Sequence, residues 1–193
     1  DESSKLTIGV IDCNPEARHM MADKIAENHD FDIFEYGLET VLSFPERVPE
    51  DLSLIFTTTT HANILNETLP PSVKVNPLAL SPTAETISAI AKLRSDEKIA
   101  LIAYSHEFIG IMLRTIHSFG DPSSKPVVYH FGTSASFNKL LSGKNQVDAV
   151  ILPANYERFS SKAEQETIHQ FEKSGGKVIL FEYQMDHGSS LLI

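Results

Sequence analysis

Polar residues able to bind a ligand follow nearly every apolar run of this chain. The run Leu6–Ile11 ends at Asp12, Cys13 and Asn14, and the run LSLIFT leads into threonines and His61. If the apolar runs are parallel strands, these residues lie at the carboxyl ends, where α/β sheets bind their ligands. Hydroxyls, amides and helix N-termini at such ends suit a small polar or anionic metabolite. The candidate ligand-binding residues selected in this way are Asp12, Asn14, Thr58, Thr59, His61, Ser81, Ser105, His106, Thr133, Ser134, Asn155 and Tyr156.

Many of these candidates also have a plain structural explanation. Ser, Thr and Asn are the residue types that cap helix N-termini in any protein, and most candidates stand where a strand gives way to a helix. Taken singly, each one fits a capping role as well as a binding role. A binding site therefore requires that several of them converge on one cleft, which depends on the fold.

Cys13 is the candidate nucleophile. An aspartate or glutamate racemase would need two thiols on opposite lobes, and the chain has a single cysteine. A Cys13-dependent isomerase or lyase stays open as a minor alternative. The segment VIDCNPEARHMMADKI is also typical of a receiver domain, but Phe56-Thr57-Thr58 stands where the phosphoacceptor aspartate would be. Phosphotransfer is therefore not expected.

Two histidines, His61 and His106, follow strands and begin helices. With Asp12 they could form a metal site or a general base, although no H-E-x-x-H spacing is present. The chain also contains neither a G-x-G-x-x-G motif nor a P-loop, which are the marks of nucleotide-binding enzymes. We therefore predict that the protein is not an enzyme and has no cofactor and no metal site.

The charge and cysteine content restrict the partners and the compartment. A net charge of −10, from 16 basic and 26 acidic residues, disfavours direct binding to a phosphate backbone. A single cysteine excludes an internal disulfide and fits the reducing cytoplasm. The apolar runs are far shorter than the ~20 residues of a membrane span, and no signal-peptide pattern is visible, so no membrane contact is expected. The chain begins with Asp1 rather than Met, which suggests that a segment has been removed upstream.

Apolar runs alternate with helical patterns throughout, which indicates an α/β fold with parallel sheets. The sequence predicts the strands Leu6–Ile11, Phe31–Tyr36, Leu52–Thr57, Val73–Leu80, Lys98–Tyr104, Pro126–Phe131, Gln146–Leu152 and Lys177–Tyr183. Helices are expected after Asn14, His61, Pro82 and Ser105, and over Leu38–Phe44, Ala135–Leu141 and Lys162–Lys173. Helical spacing turns Ile87, Ile90, Ala91 and Leu93 inward in one helix, and Phe108, Ile109, Met112, Leu113 and Ile116 in the next.

The stretch Val73–Ser105 reads as strand, helix and strand, and it stands between two sets of strand–helix units of similar size. We interpret it as the crossing point between two Rossmann-like lobes with a cleft between them. Lobe 1 covers residues 1–80, which residues 184–193 could rejoin, and lobe 2 covers residues 81–183. In the alternative arrangement of one continuous sheet, Lys98–Tyr104 would pair directly beside Leu6–Ile11.

Four segments carry a family resemblance across nearly the whole chain. They are LIFTTTTHANILNETLP, VKVNPLALSPTAETISAIAKL, KIALIAYS and the closing VILFEYQMDHGSSLL, in which an acidic residue, Gly and Ser follow the last strand. In type and order they resemble the effector-binding domains of GntR-type winged-helix regulators and the sensory domain of PrpR-type activators. The resemblance implies a bilobed fold like that of periplasmic binding proteins, a small-molecule effector, and a DNA-binding domain upstream of Asp1. The family has no single shared ligand.

The function predicted from these features is ligand sensing in a bacterial transcription regulator. The regulator would be a homodimer that reaches DNA only through its upstream domain. A ligand bridging both lobes would favour the closed state, and a nearly complete swing of the population takes about 5.5 kcal/mol of differential binding. The alternative is a solute-binding protein of a transporter, which would use the same bilobed fold outside the membrane. A leader or lipobox cysteine in the full gene would indicate transport.

Overall fold

The computed structural model of the protein describes residues 5–52, 54–121, 125–133 and 137–186. The chain forms two compact units, residues 1–81 with 183–193, and residues 82–182. Each unit contains a four-stranded sheet whose neighbouring strands run parallel. The prediction of an α/β fold with parallel sheets in two lobes is confirmed.

The strands and helices follow one another along the chain with short connections. The strands are β1 (Thr7–Asp12), β2 (Asp32–Gly37), β3 (Leu54–Thr58), β4 (Val75–Leu78), β5 (Leu80–Pro82), β6 (Ile99–Ala103), β7 (Val127–His130), β8 (Ala149–Pro153), β9 (Lys177–Phe181) and β10 (Tyr183–Met185). The helices are α1 (Pro15–Asn28), α2 (Leu38–Ser43), α3 (Ala62–Thr68), α4 (Ala84–Ala91), α5 (His106–Phe119), α6 (Phe137–Leu141) and α7 (Lys162–Lys173). Short 3-10 turns lie at Pro45–Arg47 and Tyr156–Arg158.

The sheet of the first unit has the strand order β2-β1-β3-β4 and is covered on both faces. Ile8 and Val10 of β1 pack with the side chains of α1 in one apolar cluster. Ile11 and Ile55 belong to a second cluster with the side chains of α2 and α3. A strand buried on both faces reads as a continuous apolar run, which explains why LTIGVI was recognisable from the sequence.

The sheet of the second unit has the order β7-β6-β8-β9, which repeats the strand order of the first. Strands β6 and β8 are completely buried. One face of this sheet packs with Phe137 of α6 and with Ile168 and Phe171 of α7. Phe108 of α5 also meets Phe181 of β9 edge to face, with ring centroids 5.4 Å apart. Because β6 pairs with β7 and β8, and β1 with β2 and β3, the alternative of one continuous sheet is wrong.

The middle of the chain differs from the prediction. The expected strand Val73–Leu80 is two strands, since β4 pairs with β3, whereas β5 pairs with β10 in a separate two-stranded sheet. Strands β4 and β6 therefore belong to different sheets, and Val73–Ser105 is not one βαβ unit. Pro77 fits in β4 because this strand lies at an edge of its sheet.

Two apolar residues that helical spacing placed in the core are exposed. Leu113 of α5 is 39% exposed, and Ala91, the last residue of α4, is also exposed. The other inward residues predicted for α5, namely Phe108, Ile109, Met112 and Ile116, are buried. The buried stripe of α5 is thus narrower than its apolar composition suggests.

Glu97 links the segment before β6 to the start of β9, and we expect its contribution to stability to depend on pH. Its carboxylate accepts hydrogen bonds from the backbone N–H of Arg94 at 2.9 Å and from Lys177 Nζ at 3.1 Å. The hydrogen bond from the Arg94 backbone, which has the largest effect, and the hydrogen bond from Lys177 lower the pKa of Glu97 below its ordinary 4.5. A carboxyl group whose pKa is lower in the folded than in the unfolded state stabilises the protein at pH values above the unfolded-state pKa. This stabilisation is lost as the pH falls through the folded-state pKa.

Glu97→Gln should therefore lower the stability of the second unit by about 1 kcal/mol at pH 7. The difference from the wild type should fade as the pH falls well below 4.5. Thermal unfolding at several pH values measures this, with Glu166→Gln on the exposed surface of α7 as the control. A loss of equal size at every pH would contradict the assigned role of the charge.

Candidate functional site

Each four-stranded sheet has a topological switch point, which is where ligands bind in parallel α/β folds. In both units the first strand is flanked by the second and third strands, so successive connections leave it in opposite directions. The crevice that forms in this way lies beyond the carboxyl ends of β1 and β3 in the first unit, and of β6 and β8 in the second. These two edges are where the candidate residues need to lie.

At the edge of the first unit, β1 and β3 bring together Asp12, Cys13, Thr58 and His61, which we call the Asp12 cluster. Ile11 is aligned with Thr57 across the two strands, which places Asp12 beside Thr58. The Thr58 hydroxyl donates a hydrogen bond to Asp12 Oδ1 at 3.2 Å. His61 Nε2 lies 3.4 Å from the same oxygen and 3.3 Å from Cys13 Sγ.

Burial dominates the electrostatics of this cluster. Asp12 is 3% exposed, and its burial raises the pKa of the carboxyl group. The backbone N–H of Asn14, the neighbouring His61 and the Thr58 hydroxyl act in the opposite direction, because each of them favours the ionised carboxylate. The Asn14 N–H donates to Asp12 Oδ2 at 3.2 Å. Both oxygens of this buried carboxylate are therefore held by donors.

Asn14 is both a helix cap and a buried donor. Its Oδ1 accepts a hydrogen bond from the N–H of Ala17 at 3.1 Å and so caps α1, with Pro15 at the first helical position. Its Nδ2 is buried and has no acceptor among the described residues. The hydroxyl of Thr57 is also buried and has no hydrogen-bond partner among those residues. Because buried polar atoms are normally paired, capping alone does not account for the Asn14 side chain.

Arg18 adds a cation to the same edge, and sequence reasoning missed it. Its Nη1 donates to the main-chain oxygen of Asp12 at 3.1 Å, and its Nε lies 3.5 Å from Glu35 Oε1. His19 Nδ1 lies 2.7 Å from the other oxygen of Glu35. The sequence does place a basic residue one helical turn after Asn14, and residues four apart lie on the same face of a helix. That spacing could have identified Arg18 as a residue close to the end of β1.

The second unit places Ser105, His106 and Asn155 at its own switch point. The Ser105 hydroxyl accepts the N–H of Phe108 at 3.2 Å and caps α5. The ring of His106 meets that of His130 edge-on, with centroids 4.4 Å apart. Asn155 lies two residues after Pro153, the last residue of β8. A capping role therefore accounts for Ser105.

Two tyrosines near this edge, Tyr156 and Tyr104, differ in their exposure to solvent. Tyr156 is 7% exposed and packs in the core beside Ile168, so little of its ring is available to a ligand. Tyr104 follows β6, is 54% exposed and stacks on Phe159 with ring centroids 5.5 Å apart. Of the two, Tyr104 offers the free ring face.

The remaining candidates lie elsewhere or outside the described residues. Thr59 is exposed in the turn between β3 and α3. Thr133 follows β7, and its hydroxyl donates to the main-chain oxygen of His130 at 2.6 Å. Ser81 was expected at a strand end but lies within β5, because that strand pairs with β10. Ser134 lies outside the described residues. The convergence of the two groups on one cleft stays a prediction.

In the described part of the chain, no helix combines the length and the apolar character needed to cross a membrane. No family model matches the chain, and no curated protein matches it significantly in sequence.

Solved structures with a similar arrangement include regulators and a racemase. A LacI family transcriptional regulator from Enterococcus faecium with bound ribose is 13% identical, with a TM-score of 0.42 over 89% of this chain and 73% of that chain. An NtrC family transcriptional regulator from Clostridium acetobutylicum is 16% identical, with a TM-score of 0.35 over 98% and 93% of the two chains. Glutamate racemase from Escherichia coli is 13% identical, with a TM-score of 0.37 over 97% and 80%. With TM-scores below 0.5, these likenesses transfer neither a ligand nor an activity to this chain.

Proposed function

We propose that this chain is the ligand-sensing domain of a bacterial transcription regulator and binds a small polar or anionic metabolite. The observation that carries the proposal is the buried Nδ2 of Asn14, a donor without an acceptor among the described residues, beside the Asp12 cluster at a switch point. A ligand oxygen at this edge would pair that donor. Thr59 in the exposed turn and Arg18 beside Asp12 supply further donors to the same edge.

The regulatory part of the proposal is based on the family resemblance of four sequence segments. The proposed domain is cytoplasmic, carries a GntR-type winged helix upstream and acts as a homodimer, and the four quoted segments support this assignment. Ligand binding shifts the protein towards the state in which the donors are paired, by as much as the affinities for the two states differ. The domain itself is not an enzyme.

Three variants test whether Asn14 binds the ligand or only caps α1. In a thermal-shift screen of small polar metabolites, a ligand at about 100 times its Kd adds about 2.7 kcal/mol of stability to the wild type. Asn14→Ser keeps a capping hydroxyl but removes Nδ2, so we expect near wild-type stability with the ligand-induced shift lost. Asn14→Ala should lose the shift and about 1 kcal/mol of stability as well.

The matched control is Ser161→Ala, which removes the cap of α7 in the second unit. It should lose about 1 kcal/mol of stability yet keep the full ligand-induced shift. A wild-type shift in Asn14→Ser would overturn the assigned contact. The absence of any stabilising metabolite in the screen would count against the sensor function as a whole.

A second candidate is a Cys13-dependent isomerase or lyase, because Cys13 Sγ lies 3.3 Å from His61 Nε2, within reach of a base. Cys13→Ala distinguishes the two functions. A sensor that uses Asn14 keeps its ligand-induced shift in this variant, whereas an enzyme loses turnover. Transport is the third possibility, and a leader or lipobox cysteine in the full gene would indicate it.

A further inference from the structure

Three side chains of different chemistry converge at the end of β1. Asp12, Cys13 and His61 each offer one ligand atom, and these atoms all lie within 4.8 Å of one another. The distances from His61 Nε2 are 3.3 Å to Cys13 Sγ and 3.4 Å to Asp12 Oδ1. In a tetrahedral zinc site with bonds of about 2.0–2.3 Å, neighbouring ligand atoms are about 3.3–3.8 Å apart. Two of the three separations already match that geometry.

Contrary to the sequence-based prediction of no metal site, we propose that Asp12, Cys13 and His61 form a binding site for a late first-row divalent cation of the Zn²⁺ class. One thiolate sulfur, one imidazole nitrogen and one carboxylate oxygen suit zinc better than magnesium or calcium, which prefer oxygen ligands alone. Three protein ligands leave a fourth position for water or for an oxygen of a bound molecule. The site contains the single cysteine of the chain.

Hydrogen bonding satisfies this arrangement less well than a cation does. A proton on His61 Nε2 would face both Cys13 Sγ at 3.3 Å and Asp12 Oδ1 at 3.4 Å, and it could not make a full hydrogen bond to both. A cation bonds to all three atoms at once. It also compensates the negative charge of a buried Asp12, which is 3% exposed.

The surroundings hold the proposed ligands as a metal site requires. The Thr58 hydroxyl and the Asn14 N–H each donate to one oxygen of Asp12, which fixes the orientation of the carboxylate. Cys13 packs against the cluster around Ile11, so its sulfur is partly shielded from water. The register of β1 and β3 sets the distance between the two halves of the site. The ligands thus sit on paired strands and a helix start.

The metal site goes beyond the sensor function and does not depend on it. Asn14 Nδ2, which carries the sensor proposal, is not a ligand of the metal. The metabolite screen is run in the presence of a chelator, so that a failure of metal binding and a failure of metabolite binding give separate results.

Titration of the whole chain with Co²⁺, followed by absorption spectroscopy, tests the metal site. We expect one equivalent to bind with a thiolate-to-cobalt charge-transfer band, and Zn²⁺ to displace it. Cys13→Ser should abolish the band, while His61→Ala and Asp12→Asn should each weaken binding at least about tenfold. His169→Ala, on the exposed surface of α7 in the second unit, should leave the titration unchanged.

Circular dichroism confirms that each variant is folded. If a variant does not fold, alkylation of the wild type decides, because the chain has one cysteine. Bound Zn²⁺ should slow the modification of Cys13 at least about tenfold, since only the unbound thiolate reacts. The absence of a charge-transfer band, or a band whose affinity is unchanged in both His61→Ala and Asp12→Asn, would overturn the proposal. Undiminished alkylation in saturating Zn²⁺ would do the same.

Discussion

Replacing Phe108 by alanine is expected to lower the free energy of unfolding of the second unit by about 3–5 kcal/mol. Phe108 is fully buried, and its ring meets the buried Phe181 edge to face. Truncation removes the transfer energy of the ring and leaves a cavity between α5 and β9 that the surrounding structure cannot fill. Urea unfolding followed by circular dichroism measures the loss.

Phe119→Ala is the matched control, because Phe119 ends the same helix and is 47% exposed. It should cost well under 1 kcal/mol, as most surface substitutions do. A double-mutant cycle between Phe108 and Phe181 should give a coupling of about 0.5–1.5 kcal/mol from the ring pair itself. Equal losses for Phe108→Ala and Phe119→Ala would contradict the packing described for α5.

Gly176→Ala is expected to cost about 3 kcal/mol, which is at the upper end for overpacking a core. A Cβ at this position would lie 2.4 Å from Cε1 and Cζ of Phe171. That ring is 3% exposed and packs in the core of the second unit, so it has little room to move. Thermal unfolding of the variant gives the loss.

Gly175 provides the comparison next to it. It has a φ of 98° and nothing within 4 Å of an added Cβ, so Gly175→Ala should cost only the backbone strain, about 1–2 kcal/mol. Phe171→Leu removes the obstructing ring atoms and should therefore partly rescue Gly176→Ala but not Gly175→Ala. Additive losses in the double variant Gly176→Ala/Phe171→Leu would show that the steric explanation is wrong.

These core contacts affect function because they set the positions of the strand ends. Strand β6 ends just before Ser105, and Phe108 holds the first turn of α5 against β9. A cavity at Phe108 would loosen the helix start that carries His106. In the first unit, Ile11 does the same for the Asp12 cluster, because it packs in an apolar cluster with Ile55 of β3 and anchors β1 next to its carboxyl end.

Much of the local structure was predictable because its signals are short-range. Helix α7 has the predicted bounds Lys162–Lys173, and a capping box formed by Ser161 and Glu164 starts it. Asn14 and Pro15 likewise mark the start of α1 in the sequence. Strands buried on both faces read as unbroken apolar runs, so the α/β alternation was visible before any pairing was known.

Long-range pairing decided what local patterns could not. The sequence Val73–Leu80 is continuous, but its two halves pair with β3 and with β10, and only those partners show where it breaks. Leu113 has the right helical spacing for the core yet faces solvent, because burial depends on what packs against a helix. Tyr156 follows a strand as a ligand-binding residue would, but it belongs to the core.

The sequence by itself determined the α/β class, the helix starts and the idea that polar groups gather at strand ends. The tertiary structure alone decided which of those groups meet. Asp12 and Thr58 are 46 residues apart, and Cys13 and His61 are 48 residues apart, so no local spacing links them. Their contact follows from the parallel pairing of β1 with β3, which aligns Ile11 with Thr57 and brings both strand ends to one edge. The physical reason is that caps and periodicity act within a few residues, whereas strand pairing joins distant segments through their backbones.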